Sequence, residues 1–316
     1  MQLSPKAQAS RKAGVSNTMD SISTTNLIAN RIQFAGRNWF YDFSELRMVF
    51  AESSCANQAS RLRERYSKLT KNWNAEKNSE WLCRLYMSAK LIMGTTLYVN
   101  SMYYAKDRNL RVVVPYLRYY SMLSLLRAIY FSLPEQQWQG GKLISRPHST
   151  VINSVLSYMQ QFDSGFGASL KDEINRIKAE RELISYRAPS SGDAHLSWNY
   201  NFLSKCKLLA ELAQFNSELF EASFAKHANP AEFNFLPEYW TKLSNVEIDG
   251  YDLDFGDPKD ACRLDHLARK HPYPANIMHL MTHDHVDAFF GAWAPKDGAG
   301  DVFNPEEKMS IIFEIP

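Results

Sequence analysis

Residues 112–133, Val112-Val-Val-Pro-Tyr-Leu-Arg-Tyr-Tyr-Ser-Met-Leu-Ser-Leu-Leu-Arg-Ala-Ile-Tyr-Phe-Ser-Leu133, are apolar almost all the way round a helical wheel. A surface helix needs a polar face, so this stretch is expected to form a buried helix at the centre of a bundle. Pro115 suits the first helical turn, where a missing N–H has no intrahelical partner to lose, and Pro134 lies just past the far end. A length of about 20 residues also matches a bilayer crossing. Arg118 and Arg127 argue against that, because each costs roughly 2.5–3.5 kcal/mol inside a membrane and few residues here offset two of them. No membrane partner is expected.

The flanking segments supply the rest of a mainly α fold. Residues 59–69 place Ala59, Leu62, Tyr66 and Leu69 on one face; residues 79–106 step through Trp81, Leu85, Ala89, Ile92, Thr96, Val99 and Tyr103, with Ser79 as the expected cap. A loop carrying Gly140-Gly141 leads to an amphipathic run at 149–162, and further helices are expected over 164–188 and 202–228. Residues 1–36, rich in small polar residues with Lys6, Arg11 and Lys12 and little acid, read as a flexible tail. Residues 37–229 are expected to form the helical bundle. Beyond 230 the composition turns to Asn, Asp, Pro, Gly and His, and 309–315 reads as a strand, so 230–316 is expected to be a small α+β region. A chain of 316 residues can bury a full core, and a net charge of +2 does not by itself announce a nucleic-acid binder. Cys55, Cys83, Cys206 and Cys262 stand far apart without zinc-site spacing, and no secretory leader precedes them, which suits a reducing cytoplasm.

The segment 164–188 carries the most chemistry. Leu170, Ile174, Ile177 and Ile184 mark its apolar stripe, and one heptad after Ile174 stands Arg181. A guanidinium aimed at the core needs a carboxylate, carbonyls or an anionic ligand, since an unpaired buried charge is too costly to persist. Glu182, Asp172 or the last-turn carbonyls would make it structural; a phosphate would make it functional. Pro189 disfavours helical geometry at Ala188, so the helix should end near Tyr186.

The run Ile177-Lys-Ala-Glu-Arg-Glu-Leu-Ile-Ser-Tyr-Arg187 resembles the signature of the HEPN superfamily of helical nucleotide-binding and ribonuclease domains, which is Arg, a polar residue, a few residues, then His, at the end of a helix. Arg181 falls on the family Arg, Glu182 on the polar position, and Tyr186 where the His would be; the resemblance spans about 80–226. It implies a metal-independent site acting on a ribose 2′-hydroxyl and a phosphate, shared across a homodimer, in a toxin or phage-defence setting. The departure at Tyr186 bears on catalysis. A phenol titrating near about 10 is a poor general base at neutral pH, whereas Arg181 can still hold phosphate through two parallel hydrogen bonds and Tyr186 can donate one. His195 on the following loop is the candidate replacement imidazole.

A second candidate is His279, His283 and Asp287. On one helix they stand at i, i+4 and i+8 and could face a divalent ion, although Leu280 occupies the place of a zinc-protease Glu. A polar face is the competing reading. The acids Asp249, Asp252, Asp254, Asp257 and Asp260 lack the Gly and final Glu of an EF-hand and read as a solvated turn. No phosphate-loop, dinucleotide or nucleophile-elbow motif is present, and no cofactor is implied. The sequence thus points to an RNA- or nucleotide-contacting effector acting through Arg181, Tyr186 and His195. The alternatives are a non-enzymatic module that binds a protein partner and a metal-dependent hydrolase.

Overall fold

The computed structural model describes residues 41–196, 201–248, 251–281, 285–296 and 302–313. Eleven α-helices form among them: α1 (Ser44–Val49), α2 (Glu52–Thr70), α3 (Ala75–Asp107), α4 (Val114–Ser132), α5 (His148–Met159), α6 (Ser164–Arg187), α7 (Phe202–His227), α8 (Pro237–Ser244), α9 (Pro258–Lys270), α10 (Ile277–Leu280) and α11 (His285–Gly291). Two short strands, β1 (Asn245–Ile248) and β2 (Tyr251–Gly256), pair as an antiparallel hairpin between α8 and α9, with Ile248 opposite Tyr251. Residues 1–36, expected as a tail, lie outside the described residues. None of the described helices is long and apolar enough to cross a membrane.

The apolar stretch is α4, and it is the central element. It runs alongside α3 for most of its length, and α5, α6 and α7 close the other sides. Residues all round its circumference are buried, including Met122, Leu123, Leu125, Leu126, Ala128, Ile129 and Phe131. Pro115 sits in the first turn. A helix end inside protein leaves carbonyls without intrahelical partners. Here Arg84 of α3, only 1 % exposed, supplies them: Nε donates to Phe131 O at 2.7 Å, one terminal nitrogen to Leu133 O, and the other to Gln136 O at 2.9 Å. Glu80 holds the same guanidinium at 2.8 Å, and its flat face lies 3.8 Å from the Trp81 ring. Charge, stacking and three carbonyls thus account for a cation in the core. Of the other two arginines, Arg118 pairs with buried Glu180 of α6 at 2.7 Å, and Arg127 donates to the carbonyls of Ile144 and Arg146 at 2.7 and 3.0 Å.

Three sequence expectations are corrected. Ser79 does not cap the long helix, because α3 begins one turn earlier, where the Asn74 side chain accepts from Lys77 N at 2.9 Å; Ser79 is buried inside it and its hydroxyl accepts from Leu236 N at 2.8 Å. Residues 309–313 form turn and bend, not a strand, and no separate α+β layer is seen among the described residues: beyond residue 230 the regular elements described are helices and the one hairpin. Leu264, Ile277, Phe290 and Phe313 join the same hydrophobic cluster as α4. That burial draws Asp260 out of the solvated turn proposed for it, so that it accepts from Tyr86 Oη at 2.7 Å and from Lys90 Nζ.

The buried helix α7 ties both ends of the described chain to the core with its polar side chains. Glu211 accepts from the N–H groups of Leu46 at 2.7 Å and Glu45 at 3.1 Å, and from Ser44 Oγ at 3.3 Å, at the start of α1. Glu221 accepts from Asn276 Nδ2 at 2.7 Å, Ser217 Oγ accepts from Ile277 N at 3.1 Å and Gln214 accepts from Met278 N at 3.0 Å, at the start of α10. Carboxylates placed at helix N-termini meet unpaired N–H groups and the positive end of the dipole.

Arg84→Met is expected to lower the unfolding free energy by roughly 3–5 kcal/mol, because the carbonyls at the end of α4 lose their donor inside the core. An unchanged urea midpoint would show that the end of α4 is held by something else. Burial pushes the Glu211 carboxyl from 4.5 up to about 7, so the folded state binds this proton more tightly than the unfolded chain. Its contribution to stability is complete below about 4.5 and is lost as pH rises through about 7. Glu211→Gln should remove that slope, gaining on the order of 2 kcal/mol relative to wild type between these limits. Urea titrations across the range check this, and parallel pH profiles for the two proteins would refute it.

Candidate functional site

The candidate site forms where α6 outruns the core. Asp163 starts α6 by accepting from Phe166 N at 2.6 Å, and Leu170, Ile174 and Ile177 bury its stripe. Past Ile177 the apolar ground ends, and residues 181–184 are only half-buried. The carboxylate of Glu180 turns into the core to meet Arg118, with Arg176 3.6 Å away on its other oxygen. Arg181 follows the stripe inward as its phase requires, but beneath it lie the tyrosines at the start of α4 rather than aliphatic side chains.

Its guanidinium carbon stands 4.7 Å from the centre of the Tyr119 ring, and the neighbouring Tyr120 is close enough to help raise its pKa. The Arg181 side chain is 17 % exposed. Glu182 approaches one terminal nitrogen at 3.3 Å, yet this carboxylate is 40 % exposed and is also 3.7 Å from Lys178 Nζ. A shared, solvated acid of this kind contributes little. The Arg181 Nε–H is buried and meets no hydrogen-bond partner among the described residues. Burial works against the charge, but Tyr119, Tyr120 and Tyr186 outweigh it and hold the guanidinium above its ordinary pKa.

A histidine that the spacing did not point to completes the group. His148, the first residue of α5, places Nδ1 3.0 Å from Tyr119 Oη, on the ring that Arg181 covers. Partial burial, followed by the charges of Arg127, Arg181 and Lys178, holds this imidazole below its ordinary pKa, so it is neutral at pH 7. Arg127 is held by two neutral carbonyls, which leave its charge uncancelled. Three cations therefore surround one hydroxyl-bonded, neutral imidazole. Nothing in sequence order connects residues 119, 127, 148 and 181, and the adjacent Tyr119-Tyr120 pair looked like part of the central apolar helix.

The remaining sequence candidates separate. Tyr186 is 75 % exposed at the end of α6 and close enough to Arg181 to raise its pKa. Its neighbour Ser185 lies 3.2 Å from Tyr116 Oη of α4. α6 ends as expected before Pro189, with Ala188 at φ 39°. His195 is exposed on the next loop, which is drawn toward the start of α4 by Asp193, whose two oxygens accept from Arg111 at 2.7 and 2.9 Å. His279 lies on α10 and Asp287 on α11, so no single helix carries them at i and i+8: α10 stops at Leu280. His283 lies outside the described residues. Among the described residues no group of three or more His, Cys, Asp or Glu side chains is arranged to hold a metal ion.

Comparison with known proteins finds no match for this chain among protein families, curated proteins or solved structures.

The His148 pKa, read from an NMR titration of its ring protons, is expected below about 6.5 in the wild type and higher by a few tenths of a unit or more in Arg181→Ala, which removes one of its three cationic neighbours. A value that does not move with Arg181→Ala would mean that the two side chains are not neighbours.

Proposed function

We propose that the protein contacts RNA or a nucleotide through Arg181, whose guanidinium takes a phosphate at the surface between α4, α5 and α6. The observation that carries this reading is local charge. Arg181, Lys178 and Arg127 all act on His148, Arg181 and Lys178 share the half-exposed carboxylate of Glu182, Arg127 is held by carbonyls alone, and the Arg181 Nε–H has no partner among the described residues. An anion with several acceptor oxygens answers both features, and phosphate matches the fork of a guanidinium. Tyr120, 40 % exposed, and Tyr186 add hydroxyl donors and ring faces on which a base can stack.

The resemblance to HEPN domains rests on Arg181, Glu182 and Tyr186 alone. What supports keeping it in view is the helical surroundings together with His148, an imidazole beside the arginine where the motif itself has Tyr186. A neutral imidazole can accept a proton from a ribose hydroxyl while the arginine binds the adjacent phosphate, which is the chemistry of a metal-independent ribonuclease. His148 takes that role in this reading, in place of His195.

A second reading, a module that binds a protein partner or a second copy of the chain, is favoured by one observation. Leu110, Val112 and Val113, just before α4, are exposed, and the bond that Ser185 donates to Tyr116 puts them at the same end as exposed Tyr186. Apolar side chains grouped at one end of a bundle are a feature of interaction surfaces.

Fluorescence anisotropy with a labelled single-stranded RNA oligonucleotide tests the first reading. Arg181→Ala should fold normally and weaken binding about tenfold or more, and Arg181→Lys should restore it only in part. The dependence of log K on log salt should flatten by about 0.7 for each phosphate that the variant no longer neutralises. His148→Ala should retain binding and abolish any cleavage. Equal affinity for wild type and Arg181→Ala would end the proposal.

A further inference from the structure

A second concentration of uncancelled positive charge lies at the other end of the molecule. Between α2 and α7 a cavity of about 450 Å³ is lined by Arg63, Glu64, Ser67, Ser223, Lys226 and His227. Its one carboxylate, Glu64, is already closed onto Lys68 at 2.7 Å, one turn along α2. Arg63 and Lys226 have no ion-pair partner among the described residues, and both extend from exposed positions at the rim. In its wall Ser67 Oγ lies 3.0 Å from His227 Nε2, so the two helices meet through a hydroxyl and an imidazole. Burial, then the charges of Lys226 and Lys71, holds that imidazole below its ordinary pKa and so neutral at pH 7, which leaves it a hydrogen-bonding group.

From this arrangement we infer that the cavity is a binding site for a small phosphorylated molecule, such as a mononucleotide or a sugar phosphate. Arg63 and Lys226 supply the charge that a phosphate monoester requires, and Ser67 and His227 supply hydrogen bonds of either sense. The volume falls in the range of sites for small organic ligands, so inorganic phosphate alone would leave most of it to water.

This site is separate from the one at Arg181. Tyr66, the residue before Ser67, donates to Ser132 O at the last residue of α4, whereas Arg181 covers Tyr119. Thirteen residues of helix separate these two points, roughly 20 Å at 1.5 Å per residue. The inference therefore stands or falls independently of the RNA reading.

Isothermal titration of the full chain with 5′-AMP, ribose 5-phosphate and adenosine, at fixed ionic strength, tests it. At least one of the two phosphorylated probes should bind saturably and adenosine should not. The double variant Arg63→Ala/Lys226→Ala should weaken that binding at least tenfold when made in the Arg181→Ala background, and Arg181→Ala by itself, which removes the other phosphate contact, should still bind saturably. Circular dichroism reports whether the double variant folds; Lys226→Gln, at an exposed position in the last turn of α7, is the second variant and should weaken binding severalfold. No saturable binding by either phosphorylated probe overturns the inference, as does affinity that survives the Lys226 and Arg63 substitutions. Binding abolished in Arg181→Ala but kept in the double variant also overturns it, by assigning the anion to the other site.

Discussion

Burying α4 on every side means that its last carbonyls end among packed side chains, where water cannot reach them. Arg84 answers that requirement from α3 with one guanidinium spread over three carbonyls and stacked on Trp81. The same hydrogen bonds fix how far α3 and α4 slide along one another, because the fork of an arginine accepts partners only in set directions. The other helices pack against the surface that this pair presents. A polar side chain in the core, rather than an apolar one, thus sets the register of the central packing.

α7 works on the same physical terms. Its buried acids and amides face the first N–H groups of α1 and α10, two helices too short to be stable by themselves. The side chains of a long, buried helix thereby organise short segments that lie far away along the chain in either direction. Glu211 sits at one of these joints, between the N–H groups that favour its anion and the burial that opposes it.

The two cationic sites arise where this packing runs out. At one end of α4, α6 continues past its last fully buried aliphatic residue and carries Arg181 over Tyr119; near the other end, the last turns of α2 and α7 meet beside a cavity. In both places a histidine sits among cations with its pKa lowered and its ring bonded to a hydroxyl, Tyr119 at the first and Ser67 at the second. Charge left over at the margins of a core is accessible to anions, whereas the buried ions, Arg84 with Glu80 and Arg118 with Glu180, are already satisfied within the protein.

Periodicity made much of the architecture legible. The all-round apolar character of 112–133 required a central helix, and the stripe through Leu170, Ile174 and Ile177 fixed the phase that turns Arg181 inward. Both follow from side-chain spacing within one helix, which is local. What stood beneath Arg181 was not legible, because the rings of Tyr119 and Tyr120 and the imidazole of His148 reach it only through the packing of α4, α5 and α6. The cavity at Ser67 and His227 was hidden for the same reason, its two halves being 160 residues apart. The sequence determined which helices form and which face each one buries; tertiary packing decided which residue meets which across them, since side-chain partners between helices depend on register and crossing geometry that no single helix encodes.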